Sequence, residues 1–353
     1  VARGALPHGK VLLVAPNWLG DAVLSLPAIE GSITLYSGSE VTVLARSAVA
    51  QVFSVVRPGL RVFEYERGGG IGRPLSLLKL GRRLRRESFQ LAVLLPNSLS
   101  SAILTWIAGI PERIGYDTDC RGWLLTDRLR DRRKKRGLHQ VDYYIQLVQS
   151  LGATIKDRIP RLQLQPHLTE GGQYLLAEQG IEQDELLIGI HPGAAYGEAK
   201  RWFPARFAAV IDGLQQPGRQ ILLLGGAGEE ELADQIISST RSPVINLVGK
   251  TTIAEVAAII RRCGLFLSND SGLMHMAAAL GIPQVALFGS SDPQKTAPLN
   301  DRAVVIHPEH VSCTPCFRSE CPRDLECMDA ITVEEVCQAA EALLEAVNGE
   351  PNL

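Results

Sequence analysis

Seven short apolar runs constrain this chain more than any other feature. They are "KVLLVAP" (10–16), "EVTVLAR" (40–46), "QLAVLLP" (90–96), "LLIGIHPGA" (186–194), "QILLLGG" (220–226), "LFLSND" (265–270) and "PQVALFG" (283–289). Each reads as a strand, and "KVLLVAP", apolar almost throughout, as a buried one. Most end on Pro, Gly, Asn or Asp and hand over to a helical stretch. Examples are "DAVLSLPAIEGSITLY" (21–36), "NSLSSAILTWIAGI" (97–110, with Asn97 or Ser98 as its cap) and "RWFPARFAAVIDGLQ" (201–215). Repeated strand–turn–helix order predicts parallel, doubly wound α/β sheets. The order loosens at "IPRLQLQPHLTEGGQ" (159–173) and then restarts. With 353 residues, two Rossmann-like domains are expected, 1–165 and 166–353. The last helix, "TVEEVCQAAEALLEAV" (332–347), is a candidate to cross back to the first domain. Ligands of open α/β sheets sit beyond the carboxyl ends of the strands, so the active cleft is expected between the two domains.

Charge separates the halves. Residues 1–160 hold 23 Lys and Arg against 13 Asp and Glu, and the remainder holds 13 against 25. Most of the basic excess lies in "RRLRR" (82–86) and "RLRDRRKKR" (128–136). Such a half suits an anionic partner, or forms a solvated face. No aromatic platform interleaves the basic runs, which argues against nucleic acid. No apolar run reaches the roughly 18–20 residues of a membrane span. No signal peptide is read at the start, so a cytoplasmic protein is expected.

Individual residues then carry chemistry. Asp21 follows Gly20 where the first strand hands over to its helix, as a helix cap or as a reacting group. "LSNDSGLMHMAAALG" (267–281) places Asn269, Asp270 and Ser271 in a polar turn, with Gly272 opening a helix. Uncovered N–H groups at a helix N-terminus form an anion site. In "HPGAAYGEAKRWFP" (191–204), small residues precede Lys200. A small-residue loop ending in a cation suits a pyrophosphate, offsetting leaving-group charge without Mg²⁺. Glu229, with Glu230 next to it, follows a strand-end glycine turn, where an acid commonly grips ribose hydroxyls.

Other features read as structural. "ERGGGIGRP" (66–74) matches no phosphate-loop fingerprint and reads as a surface loop. "YDTDC" (116–120) contains D-x-D but reads as a polar loop rather than a metal site. His139 and His191 are lone histidines and read as satisfied structural groups. Cys313, Cys316, Cys321 and Cys327 form a C-x2-C-x4-C-x5-C cluster, open to structural zinc, to disulfides or to free buried thiols. An odd total of seven cysteines argues against a secreted disulfide framework.

Taken together, "NWLGD…LP", "LPNSLSSA", "GIPERIGY", "HPGAAYGEAKRW", "LVGKT" and "NDSGLMHMAAALGIPQVALFGSSDP" resemble the lipopolysaccharide heptosyltransferases of glycosyltransferase family 9, from about residue 11 to 345. The resemblance implies a GT-B fold of two facing Rossmann-like domains, the first holding the acceptor and the second the nucleotide sugar. It implies inverting transfer of heptose from ADP-heptose to the first heptose of the lipopolysaccharide inner core, with no metal or other cofactor. By the same resemblance Asp21 is the catalytic base and Lys200 binds the pyrophosphate. Asp270, Ser271 and Gly272 contact phosphate and donor sugar, with His275 one helical turn further on. Glu229 holds the ribose, and Val248 and Gly249 lie near the adenine. Asn17, Trp18, Asn97 and Ser98, with Arg128, Arg130, Arg132 and Arg133, are the expected acceptor side. The acceptor places the enzyme at the cytoplasmic face of the inner membrane. The rival readings are a type I or type III heptosyltransferase, a nonhydrolysing sugar-nucleotide epimerase and a noncatalytic sugar-binding protein.

Overall fold

The computed structural model describes residues 9–57, 59–66, 73–131 and 137–349. The chain divides into two units, Val1–Pro160 and Arg161–Leu353. The first contains strands β1 (Lys10–Val14), β2 (Glu40–Arg46), β3 (Arg61–Tyr65), β4 (Leu91–Leu94), β5 (Glu112–Asp117) and β6 (Asp127–Arg130). They pair in parallel in the order β3-β2-β1-β4-β5-β6. The central strands are the apolar runs: Val11 to Val14 and Leu91 to Leu94 are all buried. The outer strands "RVFEY" and "DRLR" hold only exposed and half-buried residues. Solvent reaches the rim of a sheet, so these strands need no continuous apolar run. That is why β3 and β6 escape a search for apolar runs; β5 lies inside the sheet but buries only Ile114, Gly115 and Tyr116, too short a run to stand out.

The stretch 21–36 is two helices, Leu19–Leu24 and Leu26–Leu35, rather than one. Pro27 lacks the N–H that a continuous helix would donate to Val23. The chain turns at Ser25, whose hydroxyl donates to the carbonyl of Ala22 at 2.7 Å. On the other side of the sheet, helix Arg73–Arg86 buries Leu80 and Leu84 against Leu94, Leu104 and Ala108. Each fully buried leucine contributes about 1.5–3 kcal/mol.

The second unit repeats the plan with β7 (Leu186–His191), β8 (Arg219–Leu223), β9 (Ile245–Asn246), β10 (Cys263–Asn269), β11 (Gln284–Leu287) and β12 (Ala303–Ile306). Their parallel order is β12-β11-β10-β7-β8-β9. In both sheets the first strand sits centrally, the next two extend one way and the last three the other. The order reverses between β1 and β4, and between β7 and β10. These are the switch points where such sheets bind ligands. The terminal helix, Val333–Gly349, packs on helix Pro204–Leu214 and on β10 and β11, all in the second unit. Val336, Ala340 and Leu344 join the core around Trp202. Among the described residues, no helix is long and apolar enough to cross a membrane.

Candidate active site

At the first switch point, β1 ends just before Asn17 and Trp18. Trp18, 55% exposed, is the N-cap residue of helix Leu19–Leu24. Asp21 is therefore the third residue of that helix and not its cap. Its Oδ1 accepts a hydrogen bond from the hydroxyl of Tyr144 at 3.0 Å. Asn17 Oδ1 accepts from the hydroxyl of Tyr65 at 3.2 Å, and burial pushes the Tyr65 phenol above its ordinary pKa. At the end of β4, Asn97 Oδ1 accepts from the hydroxyl of Tyr143 at 3.0 Å. Ser98 is the cap of helix Leu99–Ile107, accepting from the N–H of Ser101. Asn17, Tyr65, Ser98 and Ser101 line a small pocket between the two strand ends.

Tyr143 and Tyr144 are neighbours on helix Gln140–Gln149. Tyr143 stacks on Tyr116 with ring centroids 4.0 Å apart, and the Tyr116 hydroxyl donates to the Tyr143 carbonyl at 2.8 Å. Arg121, fully buried, donates to the carbonyls of Tyr116 and Pro96 and to Ser101 Oγ. Burial pushes its guanidinium down to about 10. These contacts pin the loop after β4.

At the second switch point, β7 ends at His191 and β10 at Asn269. Asn269 joins the two loops: Nδ2 donates to the Pro192 carbonyl at 2.6 Å, and Oδ1 accepts from the N–H of Trp202 at 3.1 Å. Asp270 pairs with Lys200, Oδ2 to Nζ 2.5 Å, with the side chains only 5% and 17% exposed. Lys200 closes a short turn, Glu198–Lys200, and the following helix starts at Pro204. Ser271 caps helix Gly272–Ala279, accepting from Met274 N–H. The first N–H groups of a helix have no intrahelical acceptor, so this terminus carries positive potential beside Lys200. His275 is buried in the same helix.

His191 joins the second loop pair. Its Nδ1 lies 2.9 Å from Ser271 Oγ and its Nε2 lies 3.2 Å from Glu229 Oε2. That oxygen also accepts from Gly226 N–H at 2.8 Å. Burial works against ionisation of Glu229, but the hydrogen bond and charge of His191, the Gly226 N–H and Arg201 hold it below the ordinary carboxylate pKa. Gly249 N–H donates to the Gly225 carbonyl at 3.1 Å, so Val248 and Gly249 lie beside the turn that carries Glu229. A methyl at Gly193 would sit 1.8 Å from Glu229 Oε1, so any side chain there would displace the Glu229 carboxylate.

The family profile described as "Glycosyltransferase family 9 (heptosyltransferase)" matches residues 77–326. This chain belongs to glycosyltransferase family 9, the heptosyltransferases. It is 33% identical to the lipopolysaccharide heptosyltransferase 2 of Escherichia coli K12, over 84% of this chain and 87% of that one. It is 29% identical to the lipooligosaccharide heptosyltransferase 2 of Campylobacter jejuni, over 95% and 98%. The structure of the E. coli ADP-heptose lps heptosyltransferase II superposes with a TM-score of 0.80 and 28% identity, covering 96% of this chain and 100% of that one. The fold is accordingly GT-B-like.

Within this heptosyltransferase, the structure brings Lys200 to Asp270 and Glu229 to Ser271 through His191. Arg128 and Arg130 lie on the edge strand β6, and Arg128 reaches Asp117 of the D-x-D loop at 3.6 Å. Arg132 and Arg133 lie outside the described residues, as does most of 66–74. All seven cysteines are free thiols. Among the described residues, no three His, Cys, Asp or Glu side chains come together to hold a metal. Burial, with Cys313, Cys321 and Cys316 nearby, pushes the Cys327 thiol up to about 11.

The cysteine-bearing segment supports the Lys200 loop. The Ser319 carbonyl accepts from Ala199 N–H at 3.0 Å, and the Phe317 carbonyl from the Tyr196 hydroxyl at 3.1 Å. Gly197 permits that approach, since a methyl there would stand 2.3 Å from the Ser319 oxygen. Sequence reading missed Tyr143, Tyr144 and Arg121 as parts of the first site. Nothing in their local pattern separates them from core residues. His191 had one signal: it ends a strand in the same loop as Lys200.

Proposed function

We propose that the chain transfers L-glycero-D-manno-heptose from ADP-heptose to the first heptose of the lipopolysaccharide inner core, on heptosyl-Kdo2-lipid A. The observation that carries this reading is a match at 29–33% identity, over 84–95% of the chain, to enzymes named heptosyltransferase 2. The geometry of both switch points supports it. Asp21 takes the proton from the acceptor hydroxyl as that oxygen attacks the anomeric carbon. A carboxylate is far too weak to ionise a sugar hydroxyl beforehand, so proton transfer accompanies attack. Attack opposite the departing ADP inverts the centre, as the base-activated water does in inverting glycosidases. Tyr144, by holding Oδ1, sets the plane of the Asp21 carboxylate and the direction of its other oxygen.

In the second unit, Lys200 and the N-terminus of helix Gly272–Ala279 offset charge growing on the diphosphate. Glu229 accepts from the ribose hydroxyls. Val248 and Gly249 border the adenine, and His275 lies behind the phosphate loop. Asn17, Trp18, Asn97 and Ser98 face the acceptor sugars. The arginines of 128–133 meet acceptor phosphates and carboxylates. The enzyme works peripherally on the cytoplasmic face of the inner membrane, where its acceptor is held.

Mass spectrometry of products from ADP-heptose and a panel of truncated core acceptors tests the reading. One heptose should be added to heptosyl-Kdo2-lipid A and none to Kdo2-lipid A. Addition to Kdo2-lipid A instead would make this a type I enzyme. Turnover should persist in excess EDTA. Turnover lost in EDTA and restored by Mg²⁺ alone would overturn the role given to Lys200.

A further inference from the structure

Helix Arg73–Arg86 presents two different stripes. Leu77, Leu80, Gly81 and Leu84, at helical spacing, face the protein: Leu80 and Leu84 are buried in the core with Leu77 packed beside them. At Gly81 the neighbouring helix Leu99–Ile107 comes so close that a methyl would stand 2.5 Å from Ile107 Cγ2. The opposite stripe runs through positions 75, 78, 79, 82 and 86, also at i, i+3, i+4, i+7 and i+11. It begins with Leu75 and Leu78, 54% and 39% exposed, and continues with Lys79, Arg82 and Arg86, all exposed. From Leu75 to Arg86 it covers roughly 16 Å, at about 1.5 Å per residue.

No acidic residue lies in the helix. The carboxylate just beyond it, Glu87, is committed to Arg61 at 2.8 Å and to Lys10 at 3.8 Å. Arg83 lies over the ring of Phe63, 4.9 Å from its centroid. Arg82, Arg85 and Arg86 have no carboxylate partner among the described residues. Trp106 stands 56% exposed on the neighbouring helix. Arginines in a last turn are favoured by the helix dipole, but the dipole gives no reason for exposing two leucines ahead of them.

We propose that this outward stripe docks the protein on a bilayer surface rich in anionic phospholipid. Leucines ahead of unpaired cations on one helical face form the pattern that inserts apolar side chains at the headgroup boundary while the cations meet lipid phosphates. The inference rests on the peripheral membrane placement proposed above and names the surface that achieves it.

Flotation of the whole protein with vesicles free of acceptor tests it. Wild type should float with phosphatidylglycerol–phosphatidylethanolamine vesicles, stay down with phosphatidylcholine alone, and be released by high salt. Arg82→Glu/Arg86→Glu and Leu75→Ser/Leu78→Ser should each lower the bound fraction more than roughly tenfold. The leucine variant should keep wild-type kcat on a deacylated, soluble acceptor. Wild-type binding that both variants retain would overturn the assignment of this helix while leaving peripheral placement intact. Failure of wild type to bind any vesicle would overturn the placement as well.

Discussion

The two units share one strand order, yet their switch points are held by different forces. At the ends of β1 and β4 the polar groups are steadied by phenols: Tyr65 on Asn17, Tyr143 on Asn97 and Tyr144 on Asp21. At the ends of β7 and β10 they are steadied by ionisable pairs, Lys200 with Asp270 and His191 with Glu229. A phenol fixes the direction of a carboxylate without cancelling its charge, which suits the proton-accepting role proposed for Asp21. A buried ion pair keeps a cation ready for a second anion, which is what the diphosphate role proposed for Lys200 requires. Topology supplies the place. The residues that follow each strand supply the chemistry.

The largest expected effect breaks the first side of this comparison. Asparagine keeps the shape of Asp21 and cannot take a proton. Asp21→Asn should reduce kcat at least a hundredfold, within the roughly 10²–10⁴ typical of general-base help. Melting temperature and ADP-heptose affinity should stay near wild type. A variant that keeps most of its kcat would remove Asp21 from catalysis.

Lys200→Ala acts on the second side and should have two separable consequences. ADP affinity and kcat should fall, each by about tenfold or more. Stability should fall too, by up to about 3–5 kcal/mol, because Asp270 is left as a buried charge without its cation. Adding Asp270→Asn should recover melting temperature without recovering ADP affinity. Recovery of both by the double variant, measured by thermal unfolding and calorimetry, would show that the lysine serves stability alone.

A smaller effect sharpens the contrast. Tyr144→Phe removes one oxygen and with it the hydrogen bond to Asp21 Oδ1. We expect kcat to fall about tenfold, the scale of losing a hydrogen bond to a charged group, with donor KM unchanged. In an Asp21→Asn background the same change should have no further effect on kcat, since contacting residues are coupled. Fully additive losses would argue that Tyr144 acts elsewhere.

The smallest effect lies in the pH dependence of Glu229. Its pKa is lowered in the folded protein, so its contribution to stability is present above the unfolded value of about 4.3. That contribution is lost as pH falls through the folded value. Wild type should therefore melt slightly above Glu229→Gln at neutral pH, and the gap should close below about pH 4. A gap that stays constant into acid would mean the His191 contact does not depend on the charge of Glu229.

Much of this was legible in the chain, for definable reasons. Strands buried on both faces must be apolar along their whole length, so β1, β2, β4, β7, β8, β10 and β11 stand out in the sequence. Strands at the rim need no such run, and β3 and β6 blend into polar sequence, while β5 and β12 are apolar over too few residues to stand out. Pro27 was visible as well, but the break at Ser25 depends on how the backbone accommodates a missing N–H. Lys200 and Asp270 are separable as candidates because each follows a strand end within a small-residue loop. Arg132 and Arg133 were legible only as charge.

The sequence by itself determined two repeated α/β units, the strand ends that carry polar residues, and the family. Local patterning and short motifs encode all three, because they depend on neighbours within a few residues. Only the tertiary structure decided which partner each functional group has. Tyr144 lies 123 positions from Asp21, Asp270 lies 70 from Lys200, and Ser271 lies 80 from His191. Such distances close only when the sheets bring their strand ends to one edge and, for Tyr144, when helix Gln140–Gln149 packs beside the end of β1. A hydrogen bond that depends on that closure leaves no local trace in the order of residues.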